Sequence, residues 1–235
     1  MSMLNLETYL SGNAYPGRGV LLGRSADNRS AVIAYFIMGR SENSRNRIFE
    51  ATEDGIRTRA FDESKMTDPS LIIYHPVRKA GSFTVVTNGD QTDTVADYLK
   101  AGRTFEEALR TRTFEPDGPN WTPRISGLLA ENGDYRLSIL KSADGDDSSA
   151  RRYFFEYTAP KAGTGHLIHT YEHDGNPIPS FVGEPKTVSL DYACINCFTK
   201  ALWESLDPDN KVSLYTSFID LQTGAATTKI VNKHQ

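Results

Sequence analysis

Cysteine is almost absent from this 235-residue chain: Cys194 and Cys197 are the only two, too few for the disulfide framework that staples small secreted domains. No apolar run approaches the ~20 residues that a membrane span requires. The opening MSMLNLETYL lacks a basic leader and carries Asn5 and Glu7, unlike a secretory signal. A cytoplasmic protein with no membrane partner is expected. An excess of charge is also missing, since 26 Lys and Arg stand against 30 Asp and Glu for a formal net charge of -4. The basic residues are scattered among acidic ones, which argues against a nucleic-acid partner, whose phosphates call for massed cations.

With 38% hydrophobic and 24% charged residues, the composition is that of an ordinary globular protein and excludes disorder, collagen and a coiled coil. A chain of this length buries roughly 70 to 75% of the surface it exposes when unfolded, so one domain over residues 1–235 needs no metal or disulfide staple. Neither an internal repeat nor a dividing linker is visible.

Apolar and β-branched runs predict strands over Val20–Leu22, Ala31–Met38, Arg47–Thr52, Ile56–Phe61, Leu71–Val77 and Ser82–Thr87. Helical spacing of Val95, Ala96 and Leu99, a C-terminal Gly102, and Thr104 with Glu107 in a capping box predict two helices between Thr92 and Thr111. Asn132-Gly133 between two apolar alternations predicts a hairpin joining Ile125–Ala130 to Tyr135–Lys141. A polar loop at Asp144–Ser149, strands at Arg152–Tyr157 and Leu167–Tyr171, a helix at Tyr192–Leu206 and a hairpin around Thr223-Gly224 complete the pattern. Strands in runs, with helices grouped between them, argue for an α+β class.

Three features invite a function and lack its context. GRGVLLG (Gly17–Gly23) has glycines but no following helix for a dinucleotide loop, so it reads as a turn entering a strand, with Arg18 or Arg24 exposed. CINC (Cys194–Cys197) has no second ligand pair, so two core cysteines are expected. His166, His169 and His173 sit among β-formers, where alternation sets His166 opposite the other two. No metal site is expected.

Four polar segments at strand ends are more informative. GRSENSRNR (Gly39–Arg47) offers Arg40, Arg45 and Arg47 for bidentate grip on a phosphate, although a solvated basic turn accounts for this stretch taken alone. YHPVR (Tyr74–Arg78) sets a phenol, an imidazole and a guanidinium into an apolar run. VTNGDQTD (Val86–Asp93) ends a strand in a turn with Asn88, Thr92 and Asp93, where a helix N-cap is the plainer reading. FEPDGPNWTPRISG (Phe114–Gly127) gathers Glu115, Asp117, Asn120, Trp121, Thr122 and Arg124 between prolines that restrict the chain and preorganise it. Together these groups suit a nucleoside monophosphate.

At the same four segments, in order and at similar intervals from about Tyr15 to Gly127, the chain resembles the archaeal-type IMP cyclohydrolase family. GHLIHTYEHDGNPIPSF in the second half resembles the bacterial branch of that family. The resemblance implies a four-layer αββα sandwich of two stacked antiparallel sheets, shared with N-terminal-nucleophile hydrolases. It also implies closure of 5-formamidoimidazole-4-carboxamide ribotide to IMP with loss of water, a purine ribonucleotide as partner, and no cofactor. A terminal Thr, Ser or Cys nucleophile is not expected. Within that chemistry Glu115 takes a proton from the carboxamide, Tyr74 donates toward the formyl oxygen and Arg40 stabilises oxyanion charge. Arg47 and Arg124 are the phosphate candidates, with Asn88, Asp93, Asn120 and Thr122 around ribose and base. An amide hydrolase on the same fold and a non-catalytic nucleotide-binding module are the alternatives; self-association into a homo-oligomer is left open.

Overall fold

The computed structural model describes residues 3–234, so Met1, Ser2 and Gln235 lie outside the described residues, and with them the terminal position at which no nucleophile is expected. In chain order the elements are β1 (Leu4–Asn5), α1 (Leu6–Ser11), β2 (Arg18–Arg24), β3 (Ser30–Met38), α2 (Glu42–Arg45), β4 (Arg47–Thr52) and β5 (Gly55–Ala60). Next come β6 (Val77–Ala80), β7 (Phe83–Thr87), α3 (Gln91–Lys100), α4 (Phe105–Arg110), β8 (Arg124–Ala130), β9 (Tyr135–Ala143) and β10 (Asp146–Tyr157). The chain closes with β11 (Thr164–His169), β12 (Lys186–Ser189), α5 (Ile195–Ser205), β13 (Lys211–Asp220) and β14 (Ala226–Asn232).

Two seven-stranded sheets result, ordered β1-β12-β11-β2-β3-β13-β14 and β10-β9-β8-β7-β6-β5-β4. Pairing is antiparallel except for the parallel edge pair β1–β12. Val20, Leu22, Ile33 and Tyr35 of the first sheet pack on Ile56, Val86, Ile125 and Leu137 of the second. The opposite face of the first sheet, with Leu21, Val32 and Phe36, is covered by Leu6 and Leu10 of α1 and Phe198 and Leu202 of α5. Val85, Leu128 and Leu140 on the outer face of the second meet Val95 and Ala96 of α3 and Phe105 and Leu109 of α4. The layers therefore run helix, sheet, sheet, helix. Burial on both faces is why β2 and β3 read as continuous apolar runs rather than alternating ones.

Several expectations need correction. Leu71–Pro76 is irregular and pairing begins only at Val77: Pro76 has no N–H to give a ladder. Tyr74 instead exchanges bonds with Thr58, donating its N–H to Oγ1 at 2.9 Å and accepting the Thr58 N–H at 2.8 Å. The loop expected at Asp144–Ser149 shrinks to a turn at Asp144-Gly145, both at positive φ, because β10 begins at Asp146 as an exposed, polar edge strand. Helix α5 starts at Ile195 with Cys194 as its cap, and both cysteines are exposed rather than in the core. Phe198, Thr199, Leu202 and Ser205 occupy the buried face, which turns Cys194 and Cys197 outward. Arg18 is not an exposed turn residue but the buried first residue of β2. The leading segment, to which no element was assigned from sequence, forms β1 and α1.

The register brings the start of β2, the end of β3 and the end of β11 together, since Arg18 pairs with Ile37 and Gly19 with His169. Thr87 at the end of β7 likewise faces Ser126 near the start of β8, two residues from Arg124. Both sheets thus deliver polar residues to one end of the sandwich.

Candidate active site

At that end lies a cavity of about 270 Å³ whose walls include Tyr15, Arg18, Arg40, Arg47, Glu115, Asn120 and Tyr171. Its most buried carboxylate is Glu115, 2% exposed. The loop that carries it is tied across its own neck: Glu115 N–H donates to the Thr122 carbonyl at 2.9 Å and Thr122 N–H to Asp117 Oδ1 at 2.7 Å. Thr122 Oγ1 also meets Asp117 Oδ2 and lies 2.5 Å from the Tyr171 hydroxyl. Trp121, at φ 43, turns the chain and sets its ring edge-on to Phe114.

One carboxylate oxygen of Glu115 accepts from Arg18 Nη2 at 2.9 Å, the other from Asn88 Nδ2 at 3.3 Å. Asn88 is itself immobilised, donating to the Pro123 carbonyl at 2.9 Å and accepting from the Ile125 N–H at 2.8 Å. Burial pushes the Glu115 carboxyl above its ordinary range, while Arg18 and then Arg124 pull it back. Burial opposes the charge on Arg18, but Glu115 together with the surrounding Tyr171, Tyr74 and Tyr35 outweighs it and the guanidinium holds its proton more tightly than usual.

Arg47 is different in kind. It is 2% exposed, yet among the described residues no carboxylate pairs with it. Its Nε donates to the Ser44 carbonyl at 2.8 Å, Nη2 reaches the Met38 carbonyl at 3.5 Å, and Nη1 has no partner. Burial weakens its hold on the proton, with Arg18 adding repulsion. A buried, uncompensated cation with a spare donor on a cavity wall is an anion site in physical terms. Arg40 stands at the mouth, on Asp174 and the Gly175 carbonyl at 2.9 Å, with its guanidinium 5.2 Å from the Tyr15 ring centroid.

Of the residues singled out from sequence, Arg40, Arg47, Glu115 and Asn120 line this cavity. Asn88 and Thr122 stand behind the wall, on Glu115 and on Asp117 with Tyr171. Arg124 is engaged by Asp90 Oδ1 at 2.6 Å and Gln91 Oε1 at 2.8 Å. Tyr74 is buried with its hydroxyl 2.7 Å from that of Tyr35. Asp93 lies apart, in a partly exposed ion pair with Arg78 at 2.9 Å. Sequence reasoning placed Arg18 in an exposed turn, gave Asp117 no role of its own, and passed over Tyr15 and Tyr171. The signal for Arg18 was present: a charge opening a fully buried strand requires a buried partner.

Within β11 the histidines separate as alternation requires, His166 toward Tyr135 at 2.6 Å and His169 toward Tyr9 at 2.7 Å, whereas His173 lies beyond the strand and is exposed. His169 Nδ1 is 2.7 Å from the Tyr171 carbonyl, so it is the donor there and Nε2 accepts from Tyr9. Burial pushes both imidazoles down to about 4. Above the ordinary histidine value of about 6.5 both folded and unfolded chains are neutral and stability is flat. Below it the unfolded chain takes up protons that the native one refuses, so stability falls until about pH 4. Denaturant titrations should show that loss, and His169→Gln should reduce its slope; an unchanged slope would free His169 from this role.

The family model described as IMP cyclohydrolase-like protein matches residues 15–224. A Methanopyrus kandleri protein named IMP cyclohydrolase is 32% identical over 67% of this chain and 75% of its own length. A Halobacterium salinarum protein of the same name is 30% identical over 76% of this chain and 82% of its own. A third, from Methanococcus maripaludis, is 31% identical over 52% of this chain and 61% of its own. The match takes in the second sheet, the central strands of the first, the Glu115 loop and the arginines of the cavity, and the chain belongs to the IMP cyclohydrolase-like family.

Proposed function

We propose that this chain is an IMP cyclohydrolase, a single domain over residues 1–235 that closes 5-formamidoimidazole-4-carboxamide ribotide to IMP with loss of water. Within this family, the observation that carries the reading is the pairing in one cavity of a buried carboxylate, Glu115, with a buried and unpaired cation, Arg47. The first suits a base and the second a phosphate. The helix, sheet, sheet, helix layering supports kinship with the N-terminal-nucleophile hydrolase fold.

The carboxamide nitrogen bonds to the formyl carbon as Glu115 accepts one of its protons. Tyr74 donates toward the formyl oxygen; its phenol is free to do so when Tyr35 donates to it. The resulting hydroxyl leaves as water with the proton held by Glu115, and the formamido N–H proton restores Tyr74. Arg40 stabilises charge on the oxygen, exchanging its half-exposed pairing with Asp174. Much of the acceleration comes from holding two flexible substituents together, since the attack is intramolecular. Asn120 contacts ribose or base, Asn88 and Thr122 support Glu115 and its loop, Arg124 adds positive potential beside Glu115, and Asp93 is left outside.

Purified protein given the formamido ribotide in chelator, without folate or nucleoside triphosphate, should convert it to IMP. Tight binding of IMP with no conversion would replace this reading with a nucleotide-sensing module.

A further inference from the structure

We infer that Arg18 is the positioning residue of Glu115, fixing the direction and charge of that carboxylate while leaving one oxygen to act; this rests on reading Glu115 as the base. Arg18 opens a strand whose next residues, Val20, Leu21 and Leu22, are fully buried and apolar, so packing gives no reason for a guanidinium there. Its backbone is clamped on both sides by Thr170: Arg18 N–H donates to Oγ1 at 3.1 Å and its carbonyl accepts the Thr170 N–H at 2.9 Å. The flanking glycines permit that closeness. A Cβ on Gly17, at φ +78, would stand 2.2 Å from Thr170 Oγ1, and one on Gly19 would stand 2.2 Å from the Phe36 ring.

From this clamp the side chain crosses to the Glu115 loop. At 9% and 2% exposure the pair is shielded from water, so its 2.9 Å contact serves to repay the desolvation of both charges, and removing one partner strands the other. The charged and titratable groups facing Glu115 are Arg18 from β2, Arg124 from β8, Asp117 from its own loop and Tyr171 from the segment after β11. Arg124 spends its Nη1 on Asp90 and Gln91, leaving Arg18 as the cation in contact with the carboxylate among the described residues. Oε2 is pinned by Arg18, and Oε1, held by Asn88 at 3.3 Å, is the oxygen free to take a proton.

The test uses the full chain with Arg18→Gln and Arg18→Lys, reading kcat and KM for ring closure across the acid and neutral range. Arg18→Gln should lower kcat about 10²-fold, as a misaimed group does, and shift the acid limb to higher pH, so that the deficit narrows as pH rises. Arg18→Lys, which keeps the charge without the fork, should restore the limb but not all of kcat. Titration of the carbon-13-labelled Glu115 carboxyl, identified by its disappearance in Glu115→Gln, needs no substrate. Its midpoint should rise in Arg18→Gln and return in Arg18→Lys. A uniform loss of kcat with an unmoved midpoint would reduce Arg18 to packing, and a raised KM alone would make it a substrate contact; either overturns the inference. A shifted midpoint in a protein without turnover would sink the functional reading and leave the Arg18–Glu115 coupling standing.

Discussion

Replacing Glu115 by Gln should lower kcat by ~10² to 10⁴-fold with little change in KM, the range for loss of a general base. Gln is the informative substitution because it keeps volume and a carbonyl oxygen for Arg18, 2.9 Å away. Ala would strand a buried guanidinium and cost about 3–5 kcal/mol of stability, so lost activity would then report unfolding. The same variant should erase the acid limb of the rate profile. In the wild type that limb should lie above the usual glutamate value, because burial raises the Glu115 carboxyl and activity needs it ionised. Near-normal turnover in Glu115→Gln would remove the base and leave orientation as the main source of catalysis.

The second large effect is expected at Arg47, where stability and binding should move in opposite directions. Without substrate its buried charge has no carboxylate and its Nη1 no acceptor, so the empty protein carries a desolvation penalty. Arg47→Met removes the charge and keeps most of the volume. The empty protein should become equally or more stable, by up to about 2 kcal/mol. KM should rise about 10²-fold, in line with the 2–5 kcal/mol cost of truncating a buried charge pair. Because the phosphate is remote from the new bond and held alike in ground and transition states, kcat should change little. Stabilisation by IMP in thermal melts should largely vanish. An unstable variant with unchanged KM would make Arg47 a structural residue.

Much of the fold was legible because local signals agreed with the final structure. Asn132-Gly133 does join β8 to β9, and Thr104 with Glu107 does form the capping box of α4. Short elements that depend on distant partners were not legible: β1 is two residues long, and its ladder is made with Val188 and Ser189 of β12. The cysteines misled because Cys197 shares a helical stripe with Ala193, Ala201 and Leu202, whereas α5 turns Phe198, Thr199, Leu202 and Ser205 inward, where the large Phe198 gains more from burial than Cys197. The site was half legible. Arg47 and Glu115 could be picked from motifs, but their contrast, one charge paired and the other not, exists only once Arg18 is brought to Glu115 across the sandwich.

A crystal structure of the protein with IMP tests the proposed site most directly. The phosphate should accept from Arg47 Nη1, and the new ring edge, where the formyl carbon joined the carboxamide nitrogen, should lie within hydrogen-bonding reach of Glu115. A nucleotide bound elsewhere, or one in this cavity with its phosphate at the mouth and Arg47 still unpaired, would contradict the account.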